Sequence, residues 1–239
     1  MSYSTSADAV SYDAGLRSYM LGVYNYMASA LVLTGIFAYL ASHWAPLVSA
    51  LYNFDGRHSG LTGLGMLVAF APFAFVIALS LGINRLSLPA MQATFWAYSA
   101  VMGLSLSSVF FVYSGQSIVR VFFITAIMFG SMSMWGYTTK RDLSGVGSFM
   151  FMGLFGVIIA SLVNMFLHSS ALQFAFSVVG VFVFIGLTAW DTQKIKALYY
   201  QTQGNTVAAG KSAIMGALSL YLDFINLFLL MLQFFNDRR

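Results

Sequence analysis

The sequence predicts an all-α, polytopic membrane protein with a bundle of seven transmembrane helices. Of the 239 residues, 59% are hydrophobic and only 8% are charged, whereas charged residues make up about a quarter of a soluble domain. The mean hydropathy is +0.81. Polar residues interrupt the sequence between apolar runs of about 20 residues, which is the length that crosses a hydrocarbon core of about 30 Å.

Seven apolar runs are long enough to span a bilayer. The second contains Pro72, which is expected to kink its helix, and the third follows Pro89, a residue suited to the first turn of a helix. Lys140, Arg141 and Asp142 form a charged connector after the fourth run. The runs cover residues 18–41, 61–81, 90–113, 118–137, 148–167, 171–190 and 212–235.

The runs leave no stretch long enough for a separate soluble domain. Residues 1–17 form a polar N-terminal tail that lacks the basic start and apolar centre of a cleavable signal peptide. The longest non-apolar stretches, residues 42–60 and 192–211, are shorter than an ordinary folded domain. We therefore expect a single membrane domain over residues 18–239. Two repeats of three helices would leave the seventh helix unmatched.

The positive charges indicate orientation and exclude some partners. The net charge is +4 and Cys is absent, but the cations flank apolar runs as in membrane proteins, so no nucleic-acid partner is expected. With the N-terminus in the cytoplasm, more cations lie at the inner ends of the spans, which favours this orientation. The inner set is Arg17, Arg85, Lys140, Arg141, Lys194, Lys196 and Lys211, and the outer set is Arg57, Arg120, Arg238 and Arg239.

Two aspartates in apolar runs are the main candidate functional residues. Asp191 ends the sixth run, and Asp223 lies within the seventh, about 18 Å along the helix from Lys211 at about 1.5 Å per residue. A charged side chain at membrane depth costs about 2.5 kcal/mol or more. Such residues therefore normally face the interior of the bundle and mark a pathway for ions or protons.

The two aspartates can approach each other only if the sixth helix continues beyond Trp190, through Lys194 and Lys196. In that case we expect them to share a proton and to titrate as one pH-sensing unit. When ionised, the pair offers about four oxygens, fewer than the six to eight that Ca²⁺ prefers, so it would bind calcium weakly. No cofactor is expected besides this ion. The alternative is that each Asp only hydrogen-bonds neighbours such as Asn226 or Gln193 and locks the helices together.

The tryptophans and glycines suggest two kinds of position in the membrane. Trp190, with the other tryptophans, is expected mostly in the belt at the membrane interface. Glycines in transmembrane segments allow close helix contacts. Such contacts are expected at Gly60, Gly63, Gly65, Gly153 and Gly156.

Two motifs resemble those of the Bax inhibitor-1 family. Residues 189–193, near the end of helix six, read AWDTQ, and residues 217–228, in helix seven, read ALSLYLDFINLF. Residues 140–144, which read KRDLS, also fit. Together with the spacing of the spans, the resemblance covers essentially the whole chain after residue 18.

The resemblance implies a bundle with the C-terminal helix at its centre, wrapped by two groups of three helices. It also implies, as in bacterial members, a pH-sensitive calcium leak across the inner membrane. By motif match, Asp191 and Asp223 are the family's aspartate pair. Arg85, at the cytoplasmic end of helix two, is the cation that latches onto the first of them.

Alternatives to the leak remain open. Some bacterial relatives resemble non-transporting modulators of the FtsH-type membrane protease, for which the polar N-terminal tail would be the contact. A proton-coupled cation exchanger would use the same aspartates. Intramembrane aspartyl proteases also carry two aspartates on helices six and seven, but residues 220–222 read LYL in place of their Gly-x-Gly. We therefore expect no enzyme, and the expected partners are the lipid bilayer, Ca²⁺, protons and a possible membrane protease.

Overall fold

The computed structural model describes residues 5–54 and 60–235, with side chains from Ala14 onward. Within these ranges, two short strands, β1 (Tyr52–Asn53) and β2 (Gly60–Leu61), pair antiparallel with Tyr52 opposite Leu61. All other regular elements of the described chain are helices. They are α1 (Thr5–His43), α2 (Ala45–Leu51), α3 (Gly63–Gly82), α4 (Leu88–Leu106), α5 (Val109–Val112), α6 (Gly115–Thr138), α7 (Ser144–Leu167), α8 (Ser170–Gln201) and α9 (Thr206–Phe235).

Seven segments of the described chain are long and apolar enough to cross a membrane, which confirms the predicted fold class. Most of their ends lie within a few residues of the predicted runs. The sixth differs, because α8 continues past Trp190 through Lys194 and Lys196 to Gln201. This extension meets the condition for the two aspartates to approach. The segments are Ala14–His43, Gly63–Gly82, Leu88–Val112, Gly115–Thr138, Ser144–Leu167, Ser170–Gln201 and Thr206–Phe235.

The sequence did not reveal two local features. The third span is interrupted by a turn at Ser107 and Ser108, between α4 and α5. Ser107 Oγ lies 2.6 Å from the Leu104 carbonyl and 2.9 Å from the Tyr52 hydroxyl, so its side chain supports the end of α4. The stretch 42–60, expected only to be non-apolar, contains α2 and β1.

The chain divides into two compact units. The first consists of Met1–Ser108 and Ile195–Leu218, and the second of Val109–Lys194 and Ser219–Arg239. The division after Ser108 falls at the turn within the third span, so the first unit contains the first two spans and α4. The two groups of three helices implied by the family resemblance stay a prediction. The other two divisions fall within α8 and α9. The single membrane domain over residues 18–239 stays a prediction.

In the first unit, α1 packs along α4. Thr34 Oγ1 donates to the Ser99 carbonyl at 2.9 Å, and Gln92 Nε2 donates to the Tyr26 hydroxyl at 2.6 Å. Gly103 lies against the backbone of Thr34, where a larger residue would meet the carbonyl. Three large side chains of α4 are fully buried in the same unit, namely Met91, Phe95 and Tyr98.

In the second unit, the last part of α9 contacts α6 and α8. The Phe224 ring lies 5.5 Å from the rings of both Phe122 and Phe129, measured between centroids. Gly180 of α8 allows Leu230 to approach closely. These contacts place the Asp223 segment of α9 beside two helices of the same unit.

The α9 helix differs from the other spans in its burial. Of the most apolar 18-residue window in α9, 72% is buried, compared with 11–33% in the other six spans. A span that faced lipid on one side would expose much of its surface. The high burial of α9 supports a central position for this helix, which stays a prediction.

Candidate functional site

The α8 helix carries Asp191 on an uninterrupted stretch of helix. Thr188 Oγ1 and Thr192 Oγ1 each donate at 2.7 Å to a carbonyl one turn earlier, those of Phe184 and Thr188. Both hydroxyls are thereby satisfied inside the unit, where they are fully buried. Asp191 lies between these two threonines on the same helix and is half-buried. The sequence therefore keeps α8 helical through the aspartate, although the apolar run has ended.

Close contacts with α6 hold this part of α8 in place. Gly136 lies against the backbone of Ala189, so that any side chain at position 136 would collide with the Ala189 carbonyl. One turn further along α8, Thr192 Oγ1 and Ser133 Oγ form a buried hydrogen bond at 2.8 Å. Asp191 lies between these two contacts. Its position relative to α6 is therefore fixed from both sides.

Trp190 packs inside the second unit. Its ring lies directly on Gly147 of α7, and it is half-buried. The absence of a side chain at Gly147 creates space for the indole. That Trp190 belongs mostly to the interfacial belt stays a prediction. The Lys194 ammonium lies 5.1 Å from the centroid of the Trp190 ring. Lys194 also attracts the Asp191 carboxylate electrostatically.

The carboxyl groups of Asp191 and Asp223 lie within hydrogen-bonding reach of each other in the second unit. Asp223 is only 5% exposed, on the most buried helix of the described chain. Because two ionised carboxylates repel each other in a poorly solvated site, this contact favours a proton on one of the two groups. Asp223 Oδ2 has no hydrogen-bond partner among the described residues. The pair therefore combines two closely placed acids with one unsatisfied buried oxygen.

The two predicted supporting amides form hydrogen bonds elsewhere. Gln193 Nε2 donates to the Arg141 carbonyl at 2.7 Å, and its Oε1 accepts from the Leu143 amide at 2.8 Å, so Gln193 holds the connector between α6 and α7. Asn226 Nδ2 donates to the Leu222 carbonyl of its own helix at 2.8 Å. None of these hydrogen bonds connects Gln193 or Asn226 to the carboxyl groups of Asp191 and Asp223.

The same connector carries an exposed acid. The Ser144 amide donates to Asp142 Oδ1 at 2.9 Å. Hydrogen bonds from the side chain and backbone of Ser144 hold the pKa of Asp142 below its ordinary value. Asp142 lies outside the spans, between α6 and α7, and is a natural control for the intramembrane pair.

Arg85 belongs to the first unit, and its side chain is exposed at the turn after α3. The cation that contacts the end of α3 is instead Lys211, whose Nζ donates to the Ile83 carbonyl at 2.9 Å. The role of Arg85 as a latch for Asp191 stays a prediction. The cations predicted on the other side at Arg57, Arg238 and Arg239 lie outside the described residues.

The described residues contain no group of three or more His, Cys, Asp or Glu side chains that could hold a metal ion. Among the described residues, the acids that approach each other inside the spans are Asp191 and Asp223. Because Ca²⁺ prefers six to eight oxygens, about four carboxylate oxygens would need hydroxyls, carbonyls or water to complete the shell.

Sequence reasoning missed the polar stripe of α6. Ser117, Thr125 and Ser133 are buried and follow one another at intervals of eight residues, so each lies about 80° around the helix from the one before. Ser133 contacts Thr192, next to Asp191. The regular spacing of hydroxyls in an otherwise apolar run was the available signal.

A protein-family model covers nearly the whole chain. The model described as "Inhibitor of apoptosis-promoting Bax1" matches residues 16–239. The chain belongs to the Bax inhibitor-1 family. The match includes both aspartates and every span, so the resemblance read from the two motifs is confirmed.

Several bacterial proteins are similar to this Bax inhibitor-1 family member over nearly their whole length. An uncharacterized protein of Rickettsia prowazekii is 48% identical over 236 residues, which cover 99% of this chain and 96% of the relative. The inner membrane protein YbhL of Escherichia coli is 47% identical over 227 residues, or 95% of this chain and 94% of YbhL. An uncharacterized protein of Caulobacter vibrioides is 44% identical over 231 residues, or 96% and 92%. The family and the seven spans together define a multi-pass membrane protein.

Proposed function

We propose that the chain is a pH-sensitive cation leak of the bacterial inner membrane, with Ca²⁺ as a permeating ion. The observation that carries this proposal is the approach of the carboxyl groups of Asp191 and Asp223 to within hydrogen-bonding reach inside the second unit. Buried acids in transmembrane helices are costly and typically mark ion or proton pathways. The inner membrane is supported by the similarity to YbhL, which is named for that location.

The proton state of the pair controls both helix contact and ion binding. With one proton, the two carboxyl groups join α8 to α9 through their hydrogen bond. Without it, two like charges face each other in a poorly solvated site, where their repulsion is strong. Loss of the proton also frees carboxylate oxygens that a cation can bind. Because this coordination is weak, the cation can leave the site again. Cation flux should therefore rise with pH, as the shared proton is removed.

The test is calcium entry into proteoliposomes that enclose a calcium indicator. The wild type should admit calcium at a rate that rises with pH, and Asp223→Asn should abolish this flux, because the amide cannot ionise. Asp191→Asn should behave likewise. Asp142→Asn, a change of the same kind outside the spans, should keep the flux of the wild type.

Two results would contradict or revise the proposal. Equal flux in the wild type and in Asp223→Asn at every pH would remove the aspartate pair from the pathway. Calcium accumulation against its own gradient, driven by an imposed pH gradient, would instead identify a proton-coupled exchanger. The assay with and without the pH gradient separates the leak from exchange.

A further inference from the structure

The first unit contains an apolar cavity where the end of α2, the β1–β2 pair, α3 and α4 meet. Its volume is about 260 Å³, whereas protein interiors contain few voids larger than a water molecule. The space stays open because glycine contributes no side chain and alanine only a methyl group. The cavity is lined by Gly65 and Ala69 together with the larger apolar side chains of Leu51, Leu61, Val68 and Leu104.

Backbone contacts fix the walls of this cavity. The Thr62 amide donates to the Leu51 carbonyl at 3.0 Å, and Tyr52 of β1 pairs with Leu61 of β2. Gly65 lies so close to the Leu51 carbonyl that any side chain at position 65 would collide with it. The start of α3 therefore cannot move further towards α2, and the cavity is preformed.

The cavity reaches the depth of lipid acyl chains and meets the lipid-facing side of α3. The α3 helix is one of the seven spans, and Ala69 lies about 9 Å along it from Gly63, at about 1.5 Å per residue. Leu64 and Leu67 of α3 are exposed, and so is Leu61, which lines the cavity. In a multi-pass membrane protein, the neighbours of such a surface are lipids. The most available occupant is therefore an acyl chain.

A second cavity adjoins the first at Tyr52, which lines both. Its volume is about 760 Å³, and polar side chains of His43, Ser49, Asn53 and Thr62 contribute to its lining. Hydroxyl, amide and imidazole groups can donate hydrogen bonds to a phosphate oxygen. An apolar cavity beside a polar one matches the two parts of an amphiphile.

We propose that the apolar cavity binds one acyl chain of a membrane phospholipid, whose headgroup lies towards the polar cavity. An apolar cavity of about 150 Å³ stays dry and binds a molecule as large as benzene, so this one has room for several methylene groups. A polypeptide segment would bring backbone groups that need hydrogen-bond partners, whereas an acyl chain brings none. The site lies entirely in the first unit and goes beyond the proposed leak, on which it does not depend.

The test uses photolabelling in phosphatidylcholine nanodiscs that contain a phosphatidylcholine with a diazirine in its acyl chain. Mass spectrometry should find the label at Leu104, which lines the cavity and is half-buried. Ala69→Leu and Ser105→Leu add volume to the cavity from α3 and α4. Each should lower the labelling of Leu104 about fivefold or more, because the added side chain takes the space of the acyl chain.

Ala78→Leu is the matched control. Ala78 is exposed and lies nine positions after Ala69 on α3, which places it on the opposite face of the helix. Its labelling of Leu104 should stay within about twofold of the wild type. Labelling of the exposed Phe166 on α7 provides the internal reference in every sample.

Melting in detergent separates loss of lipid from loss of fold. Without phospholipid, Ala69→Leu should melt at or above the temperature of the wild type, because it fills a void. Added phosphatidylcholine should raise the melting temperature of the wild type and of Ala78→Leu more than that of Ala69→Leu. If one cavity variant fails to fold, the other decides.

Two results would overturn the site. The first is equal labelling of Leu104 in the wild type and in the cavity variants. The second is absence of label at Leu104 in the wild type while Phe166 is labelled, which would leave water or a protein segment as the occupant.

Discussion

Asp191 on α8 and Asp223 on α9 bring their carboxyl groups within hydrogen-bonding reach of each other. The two groups differ in their surroundings, since Asp191 is half-buried beside Lys194 whereas Asp223 is 5% exposed. Two ionised carboxylates so placed would repel each other in a poorly solvated site.

The contact between Gly136 and Ala189 predicts a loss of stability in Gly136→Ala. The added methyl group would collide with the Ala189 carbonyl, and overpacking of this kind costs about 1–3 kcal/mol. Gly130→Ala is the matched control in the same helix, because Gly130 has open space around it; it should stabilise by about 0.5–1 kcal/mol. Thermal unfolding of both variants measures the difference. Equal melting temperatures would show that α6 and α8 are not in close contact here.

Gln193 is predicted to protect the connector between α6 and α7. In Gln193→Leu, the Leu143 amide loses its acceptor, so its hydrogen exchange should accelerate about tenfold or more. Gln193→Glu keeps an acceptor for Leu143 and should exchange more slowly than the leucine variant. Mass spectrometry of hydrogen exchange over this connector makes the comparison. Unchanged exchange in Gln193→Leu would refute the role of the amide.

Lys211 is predicted to stabilise the end of α3. Its ammonium donates to the Ile83 carbonyl, and a cation is favourable at the C-terminus of a helix. Lys211→Met should therefore lower the free energy of unfolding by about 1 kcal/mol. Lys140→Met removes an exposed cation in the connector and should change it by less than about 0.5 kcal/mol. A smaller loss in Lys211→Met than in Lys140→Met would speak against the contact.

Asp142 is predicted to contribute nothing to the pH dependence of flux near neutrality. Its pKa is lowered from 3.8 by hydrogen bonds from Ser144. A lowered pKa in the folded state gives a stabilising contribution that is complete above the ordinary pKa and lost as pH falls through the lowered one. Asp142 therefore stays ionised from about pH 5 to 8. The pH profile of Asp142→Asn should superimpose on that of the wild type, and a shifted profile would place part of the pH sensor in the connector.

The sequence was sufficient for the spans and for the aspartate pair. Spans depend on length and apolar composition, which a single sequence shows directly. Asp191 and Asp223 stood out because acids are rare at membrane depth. The extension of α8 through Lys194 followed from requiring the pair to meet, and the structure confirms it.

The helix contacts were much harder to predict. Of the glycines expected at contacts, Gly65 and Gly153 do meet neighbouring groups, whereas Gly60, Gly63 and Gly156 have open space around them. The sequence pattern did not single out Gly136 and Gly147, which leave space for Ala189 and Trp190. In a membrane span, lipid and protein neighbours are equally apolar, so the sequence pattern does not distinguish the face that packs from the face that meets lipid.

The central claim is that the pair holds a proton whose loss opens the cation path. Infrared difference spectroscopy of the reconstituted protein measures this directly, because a protonated carboxyl group and a carboxylate absorb at different frequencies. We expect a protonated carboxyl band that is lost over the same pH interval in which calcium flux rises, and that is absent from Asp191→Asn or Asp223→Asn over that interval. A rise in flux with pH while the carboxyl band of the pair stays unchanged would contradict it.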